Sequence, residues 1–367
     1  MTTGTTTGTV WTRDDVLAHR VHAHQLDRAA GGTVADTAVL DLGVQDTGPA
    51  GAARWALAVR GLTDPADDDL VTAWTLRGAP HTYRRADLAG VAAATAPWSE
   101  ADAAKRIFDG ARPLKAAGIP VRTALEVVAR EMRDIARTPT VKGDMSAALR
   151  DRLPEPYLRH CRPCDAVHAY EQTFRLAALP AGLVLRPGTS PPVLDPVPGF
   201  VPAGQAPDRL DVVRAHLRLA GPTTPKQVAA SVDSTVAEVR RRWPADAEPV
   251  AVEGEQRWVL AGTVPPDRPR TTRLLAPFDP YLQVRDRELL VPDRPVKELW
   301  PVLGRPGAVL VDGEVAGTWR PRTTGGRLAL AITPWGPFDR AVVEEQAEAM
   351  AAARGLAPGG VSLHPPG

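Results

Sequence analysis

Asp208 to Leu219, then Gly221-Pro222-Thr223-Thr224-Pro225, then Lys226 to Ser231, then Thr235 to Trp243, is the stretch that decides the fold. Each segment reads as a helix. Thr224 is placed to cap the second with Pro225 at its first position, and Thr235 with Glu238 has the spacing of a capping box for the third. That third helix ends in Arg240-Arg241-Arg242-Trp243. Val250 and Val252 then alternate, Glu253-Gly254-Glu255 turns the chain, and Trp258-Val259-Leu260 returns. Three helices followed by a hairpin are the outline of a winged helix. Such a unit can place its last helix in a major groove, which makes Arg240 and Arg241 candidate DNA contacts, or it can serve as a packing module.

Upstream the same outline recurs more faintly. Trp11 to Arg28 reads as a helix capped by Thr12, and Ala50 to Arg60 as a shorter one. Leu70-Val71-Thr72-Ala73-Trp74-Thr75-Leu76-Arg77 and His81-Thr82-Tyr83-Arg84 flank Gly78-Ala79-Pro80 as a hairpin. Trp98 to Ala116, Val121 to Arg137, and Met145 to Leu153 with Asp144 as its cap read as further helices. Phe174 to Leu179, followed by strand-like Leu183-Val184-Leu185, repeats the layout of helix then strand. Residues 187–207 are rich in proline and glycine and form the best linker.

Downstream of Arg273 the pattern changes to strands. Asp312-Gly313 between two alternating runs is a two-residue hairpin signal, Leu328 to Ile332 reads as another strand, Asp339 to Arg354 as an amphipathic closing helix, and Gly355 to Gly367 as a tail. The expected class is therefore α+β: tandem winged-helix (helix-turn-helix) units, then a β-rich hairpin or barrel-like region and a terminal helix. The expected boundaries are 10–97 for the first unit, 98–187 for a helical region with the second, 188–207 for the linker, 208–262 for the third and 263–355 for the β-rich region.

With 367 residues the chain exceeds one ordinary core, which agrees with several units. Met1 to Thr9 has neither a basic start nor an apolar run, so a cytoplasmic protein with no membrane partner is expected. Two cysteines cannot frame a disulfide-stapled fold. A net charge of +1 neither favours nor excludes nucleic acid, because clustering decides. The basic surplus lies within 102–159, where Arg130, Arg133 and Arg137 recur at helical spacing; this stripe is either a solvated face or a set of phosphate contacts.

The chemistry-bearing stretches are few. In Val39-Leu40-Asp41-Leu42-Gly43-Val44-Gln45-Asp46-Thr47-Gly48 an apolar run stops at polar groups that can orient a water or read a base edge, although Asp46 is equally placed to cap the next helix. His19, His22 and His24 lack a carboxylate to complete a metal set and read as surface or packing histidines. His160-Cys161-Arg162-Pro163-Cys164-Asp165-Ala166-Val167-His168 could supply zinc ligands, but no second Cys-x-x-Cys follows, so incidental thiols and no metal are expected.

Taken together, the layout resembles the bacterial winged-helix DNA glycosylase family typified by YcaQ and AlkZ. The resemblance is carried by Leu42-Gly43-Val44-Gln45-Asp46 ahead of a Trp-bearing helix, Leu76-Arg77-Gly78 running into His81, and Phe174-Arg175-Leu176-Ala177-Ala178-Leu179. Pro277-Phe278-Asp279-Pro280 with Arg285-Asp286-Arg287, and Val311-Asp312-Gly313 ending in Gly317-Thr318-Trp319-Arg320, complete it. It implies a concave basic channel for duplex DNA and hydrolysis of the N-glycosidic bond of alkylated or cross-linked purines, in DNA repair or genotoxin self-resistance. It implies no cofactor, and a three-unit cleft could work as a monomer. The alternative is a non-catalytic winged-helix DNA-binding protein or transcriptional regulator. Catalytic roles would fall to Gln45 and Asp46, with Asp41 as a helper, and DNA contacts to Arg130, Arg133, Arg137, Arg240, Arg241, Trp319 and Arg320. The family carries Gln-apolar-Gln or Gln-apolar-Asp where this chain has Gly43-Val44-Gln45, so the first polar group is missing here.

Overall fold

The computed structural model describes residues 9–48 and 51–365; Met1–Gly8, the Pro49-Ala50 start expected for the second helix, and the last two residues of the tail lie outside it. The architecture is mixed α and β. The helix Arg13–Ala23 opens with a capping box in which the Thr12 hydroxyl accepts from the Asp15 N–H and the Asp15 carboxylate accepts from the Thr12 N–H. Its buried Val16, Leu17 and Val21 pack into the largest core, beside Leu274, Val309, Trp319, Leu330, Ile332 and Met350 from the far end of the chain. No helix among the described residues is long and apolar enough to cross a membrane.

Three sheets matter for the site. The hairpin Leu70–Trp74 and Pro80–Arg84 is joined on one side by Val44–Gln45 and on the other by Leu183–Leu185, Val193–Pro196 and Thr140–Val141. Strands from both sides of residue 98 thus form one six-stranded sheet. In the deciding stretch, Val212–Ala220, Pro225–Val232 and Val236–Arg241 are helical, and Ala247–Val252 pairs antiparallel with Glu255–Leu260. The N-terminal strand Val10–Trp11 adds to that hairpin in parallel. The third sheet is curled and runs Thr272–Leu275, Gly307–Val311, Glu314–Thr324, Arg327–Pro334, Ala357–Leu363, backed by the helix Arg340–Ala353. Its Asp312-Gly313 turn has positive φ at both positions (51° and 93°), as a tight hairpin of this kind requires.

Several expectations need correction. Asp144 caps nothing: the chain passes from Thr140–Val141 straight into the helix Lys142–Arg152, so Asp144 lies inside its first turn. The helix read from Trp98 to Ala116 breaks into Glu100–Arg106 and Ala111–Ala116, because Phe108 takes a left-handed conformation (φ 49°) between them. Only half of the Thr235 and Glu238 box forms; Thr235 accepts from the Glu238 N–H, but the Glu238 carboxylate goes to Arg241. The tail is not free, since Ala357–Leu363 edges the last sheet. For Asp144 and the tail, strand pairing overrides the local signal; for Glu238, an arginine one turn on does so.

Candidate active site

The site is built around a two-residue strand. Val44 and Gln45 pair antiparallel with Thr82 and His81, so the Gln45 amide and the His81 imidazole are direct cross-strand neighbours, with Cβ atoms about 5 Å apart. Gly43 sets up this strand. It sits at φ +86°, and a Cβ built on it would fall into the Tyr83 ring. Tyr83 is itself fixed by a 2.7 Å hydrogen bond to the Thr75 hydroxyl. The polar side chain missing from position 43 therefore has no room here. Gly43→Gln should lower stability by roughly 2–5 kcal/mol, from backbone strain and overpacking together; thermal melts check this, and an unchanged melting temperature would contradict the steric account.

The Gln45 amide is oriented from both ends. Arg77, a pure donor, gives 2.7 Å to Oε1, and Nε2 donates to the Thr47 hydroxyl at 3.1 Å. One lone pair on Oε1 stays free for a water. On His81, Nδ1 lies 3.0 Å from the Ala79 carbonyl, which can only accept, so Nδ1 carries the proton and Nε2 the lone pair. Burial, reinforced by the nearby Arg77 charge, lowers His81 from 6.5 to about 3, and the ring is neutral at pH 7. Gln45, Arg77 and His81 line one cavity with His24, His216 and Phe278. Its volume is about 50 Å³, the space of a few waters.

Positive charge collects around this cavity. Burial first, and then Arg285 and Arg305, lower Arg77 to about 10; burial, Arg287 and Arg285 lower Arg305 to about 10. None of Arg77, Arg285, Arg287 and Arg305 has a carboxylate within ion-pair distance among the described residues. The motif Arg285-Asp286-Arg287 explains part of this. Asp286 takes Arg20 at 2.8 Å and Arg257 at 2.5 Å, while its two arginine neighbours line a wide groove of mixed charge, with Arg13 and Lys226 on it and Glu253, Glu255 and Glu288 among its carboxylates. Arg305 stacks on Phe278, 4.5 Å from the ring centre, at the lip of the cavity. Arg77 also donates to the Ser231 carbonyl, which ties the helix Pro225–Val232 to this wall.

The other residues singled out in the sequence lie elsewhere. Asp46 accepts from the Ala53 N–H at 3.2 Å at the start of the helix Ala52–Ala58; burial raises its carboxyl pKa, and it does not line the cavity. Asp41 is held by Arg84, Arg209 and Arg218 at 2.5, 3.2 and 2.7 Å, and is outside the cavity too. Arg130 and Arg137 are exposed beside Glu131 and Asp134, and Arg133 donates to the Pro180 and Ala181 carbonyls. Arg240 and Arg241 are exposed on the last helix of their unit, with Arg241 paired to Glu238. Trp319 requires a correction as a DNA contact: it is fully buried, with Nε1 donating to the Leu275 carbonyl at 2.9 Å. Arg320 is exposed and donates to the Gly304 carbonyl at 2.6 Å, next to Arg305. Sequence reasoning missed His81 and Arg77 as site residues and Arg285, Arg287 and Arg305 as cations; the usable signal was the hairpin at Gly78-Ala79-Pro80, which brings residue 81 to a strand edge.

For metal ligands, the described residues offer one group, Cys161, Cys164 and His168, outside this cavity. A water-sized cavity with mainly apolar walls, a few polar groups including Gln45 and His81, and arginines that have no direct ion pair nearby suits hydrolysis next to a polyanion. Consistent with it, the model of AlkZ-like DNA glycosylases matches residues 39–353, and the chain belongs to this family of N-glycosyl hydrolases of DNA repair. The structure is similar to that of the Streptomyces sahachiroi DNA glycosylase AlkZ, with a TM-score of 0.71 at 19% identity, covering 97% of this chain and all of that one. No curated protein matches the sequence.

Proposed function

We propose that this DNA glycosylase releases N-alkylated purines, including cross-linked ones, from duplex DNA, with the attacking water held between Gln45 Oε1 and His81 Nε2. The observation that carries the proposal is their cross-strand pairing in one cavity, with Arg77 fixing the amide. His81 then supplies the second polar group that position 43 lacks. An N7- or N3-alkylated purine is already cationic, so the C1′–N bond breaks with its electron pair passing to the base. The oxocarbenium-like C1′ that remains needs an oriented water more than a strong base. Water adds to C1′ and its proton leaves to His81 Nε2 or to solvent, giving free base and an abasic sugar.

The helix-then-hairpin units read as tandem winged helices, and the arginine cluster with its groove as the phosphate track. The reading includes action in the cytoplasm, as a monomer. The filled space over Gly43 favours a second reading, a DNA binder that no longer excises. The two separate in one assay. Wild-type protein should release base from duplexes carrying 7-methylguanine or an alkyl cross-link, and Gln45→Ala should lose at least about tenfold in rate with nearly unchanged DNA affinity. Arg287→Gln should weaken binding and reduce its salt slope by about one. Salt-dependent binding with no release from any alkylated duplex would leave the non-excising reading.

A further inference from the structure

The short ribbon Leu158–Cys161 and Ala166–Ala169 is not used by the hydrolytic site. It forms a two-stranded sheet of its own, anchored at its base by Leu158 and Ala169 on the core that includes Met145 and Leu149, while its turn, residues 162–165, is exposed. Cys161 pairs with Ala166 and Arg159 with His168, so Cys161 and His168 share one face of the ribbon, while the turn brings Cys164 back to it. The ligand atoms of all three residues lie within 4.8 Å of one another, and the two Sγ atoms are 3.2 Å apart. That separation is far beyond a disulfide bond of about 2.05 Å. It is somewhat shorter than the roughly 3.8 Å edge of a tetrahedron with zinc–sulfur bonds of about 2.3 Å, so a small opening of the turn suffices.

The histidine leaves one ring nitrogen unpartnered. His168 Nδ1 lies 3.4 Å from the Ser146 hydroxyl, and Nε2 is buried with no hydrogen-bond partner. A second hydrogen-bonding group behind the ring is the arrangement that orients a metal-bound imidazole. His160 pairs with Val167 on the opposite face and contacts Asp165 at 3.1 Å, so it does not compete. We propose that Cys161, Cys164 and His168 bind one zinc ion that clips the ribbon, leaving the fourth position to water. Binding displaces the thiol protons, giving a dithiolate–imidazole set that favours zinc over hard, oxygen-seeking cations. The site needs no second knuckle, because its three donors come from one hairpin.

The test uses the full chain purified under reducing conditions from zinc-supplemented culture. Elemental analysis should find one equivalent of zinc. Apoprotein titrated with Co²⁺ should develop a thiolate-to-cobalt charge-transfer band that saturates at one equivalent. Cys161→Ser, Cys164→Ser and His168→Asn should each abolish the band while circular dichroism stays native, and a chelator should accelerate tryptic cleavage in the ribbon about tenfold. Substoichiometric zinc with freely titrating thiols, a cobalt band that survives Cys161→Ser, or a mass two hydrogens short in metal-free protein would each overturn the proposal; the last would make the pair a redox couple.

Discussion

Acidification should unfold this protein well before its carboxylates protonate. The melting temperature should change little between about pH 8 and 7 and then fall steeply below about 6.5. The cause is a set of buried, neutral histidines. Desolvation, helped by Arg20, lowers His19 to about 4; desolvation and the Arg77 charge lower His81 to about 3; desolvation, Arg20, Arg285 and Arg77 lower His216 to about 3. His24, between Arg60 and Arg20, is also well below 6.5. A depressed folded pKa means that the unfolded chain binds more protons below 6.5. The stabilisation is therefore complete above that pH and is lost as pH falls toward the folded values. Each histidine loses about 1.4 kcal/mol per pH unit, so at pH 4.5 the three quantified ones forfeit on the order of 8 kcal/mol, comparable with the whole stability of a domain. Melts at half-unit steps check this; a flat profile from pH 6.5 to 4.5 would show that these rings are not held neutral.

Asp279→Ala should cost about 3–5 kcal/mol. Arg60 and Asp279 are completely buried and meet through two parallel hydrogen bonds of 2.7 and 2.8 Å, joining the end of the Trp-bearing helix to the turn after Thr272–Leu275. Removing the carboxylate strands a guanidinium beside His24, where no solvent can screen it. The loss should spread to the site, because Phe278 and Pro280 on either side of Asp279 line the Gln45 cavity. Chemical denaturation gives the energy. The double variant Arg60→Met with Asp279→Ala should recover part of it, since the unpaired charge is then gone; if the double variant is as unstable as the sum of both single changes, the pair is not coupled.

Much of the frame was legible in the residues. Thr12 and Thr224 cap where their hydroxyls suggest, Pro225 opens its helix, and Asp312-Gly313 makes its hairpin, because each signal acts over a few residues and is satisfied locally. In the run from Val39 to Gly48, Asp46 was readable as a partner for the start of the next helix, and its carboxylate accepts from the Ala53 N–H there, with Gly51 in the N-cap position. The site itself was only half legible. Gln45 stood out as a polar group ending an apolar run, but its partner His81 arrives through register, and its orienting Arg77 through a left-handed turn. Trp319 misled because an aromatic at a hairpin end looks the same in sequence whether it faces solvent or the core. The charge count along 102–159 pointed to a different surface: the arginines near the cavity come from distant segments, and Asp286, the carboxylate between Arg285 and Arg287, is spent inside the core.

The six-stranded sheet has a practical consequence for anyone wishing to divide the molecule. Leu70–Trp74 and Leu183–Leu185 lie side by side in it, so a cut near residue 98 would expose two raw strand edges and not release two folding units. The start of the chain is equally inseparable, since Val10–Trp11 borders the hairpin Ala247–Val252 and Glu255–Leu260 and Trp11 is 1% exposed. Fragments made to isolate one piece of the machinery should aggregate, and the shortest usable version of this enzyme is close to its whole described length.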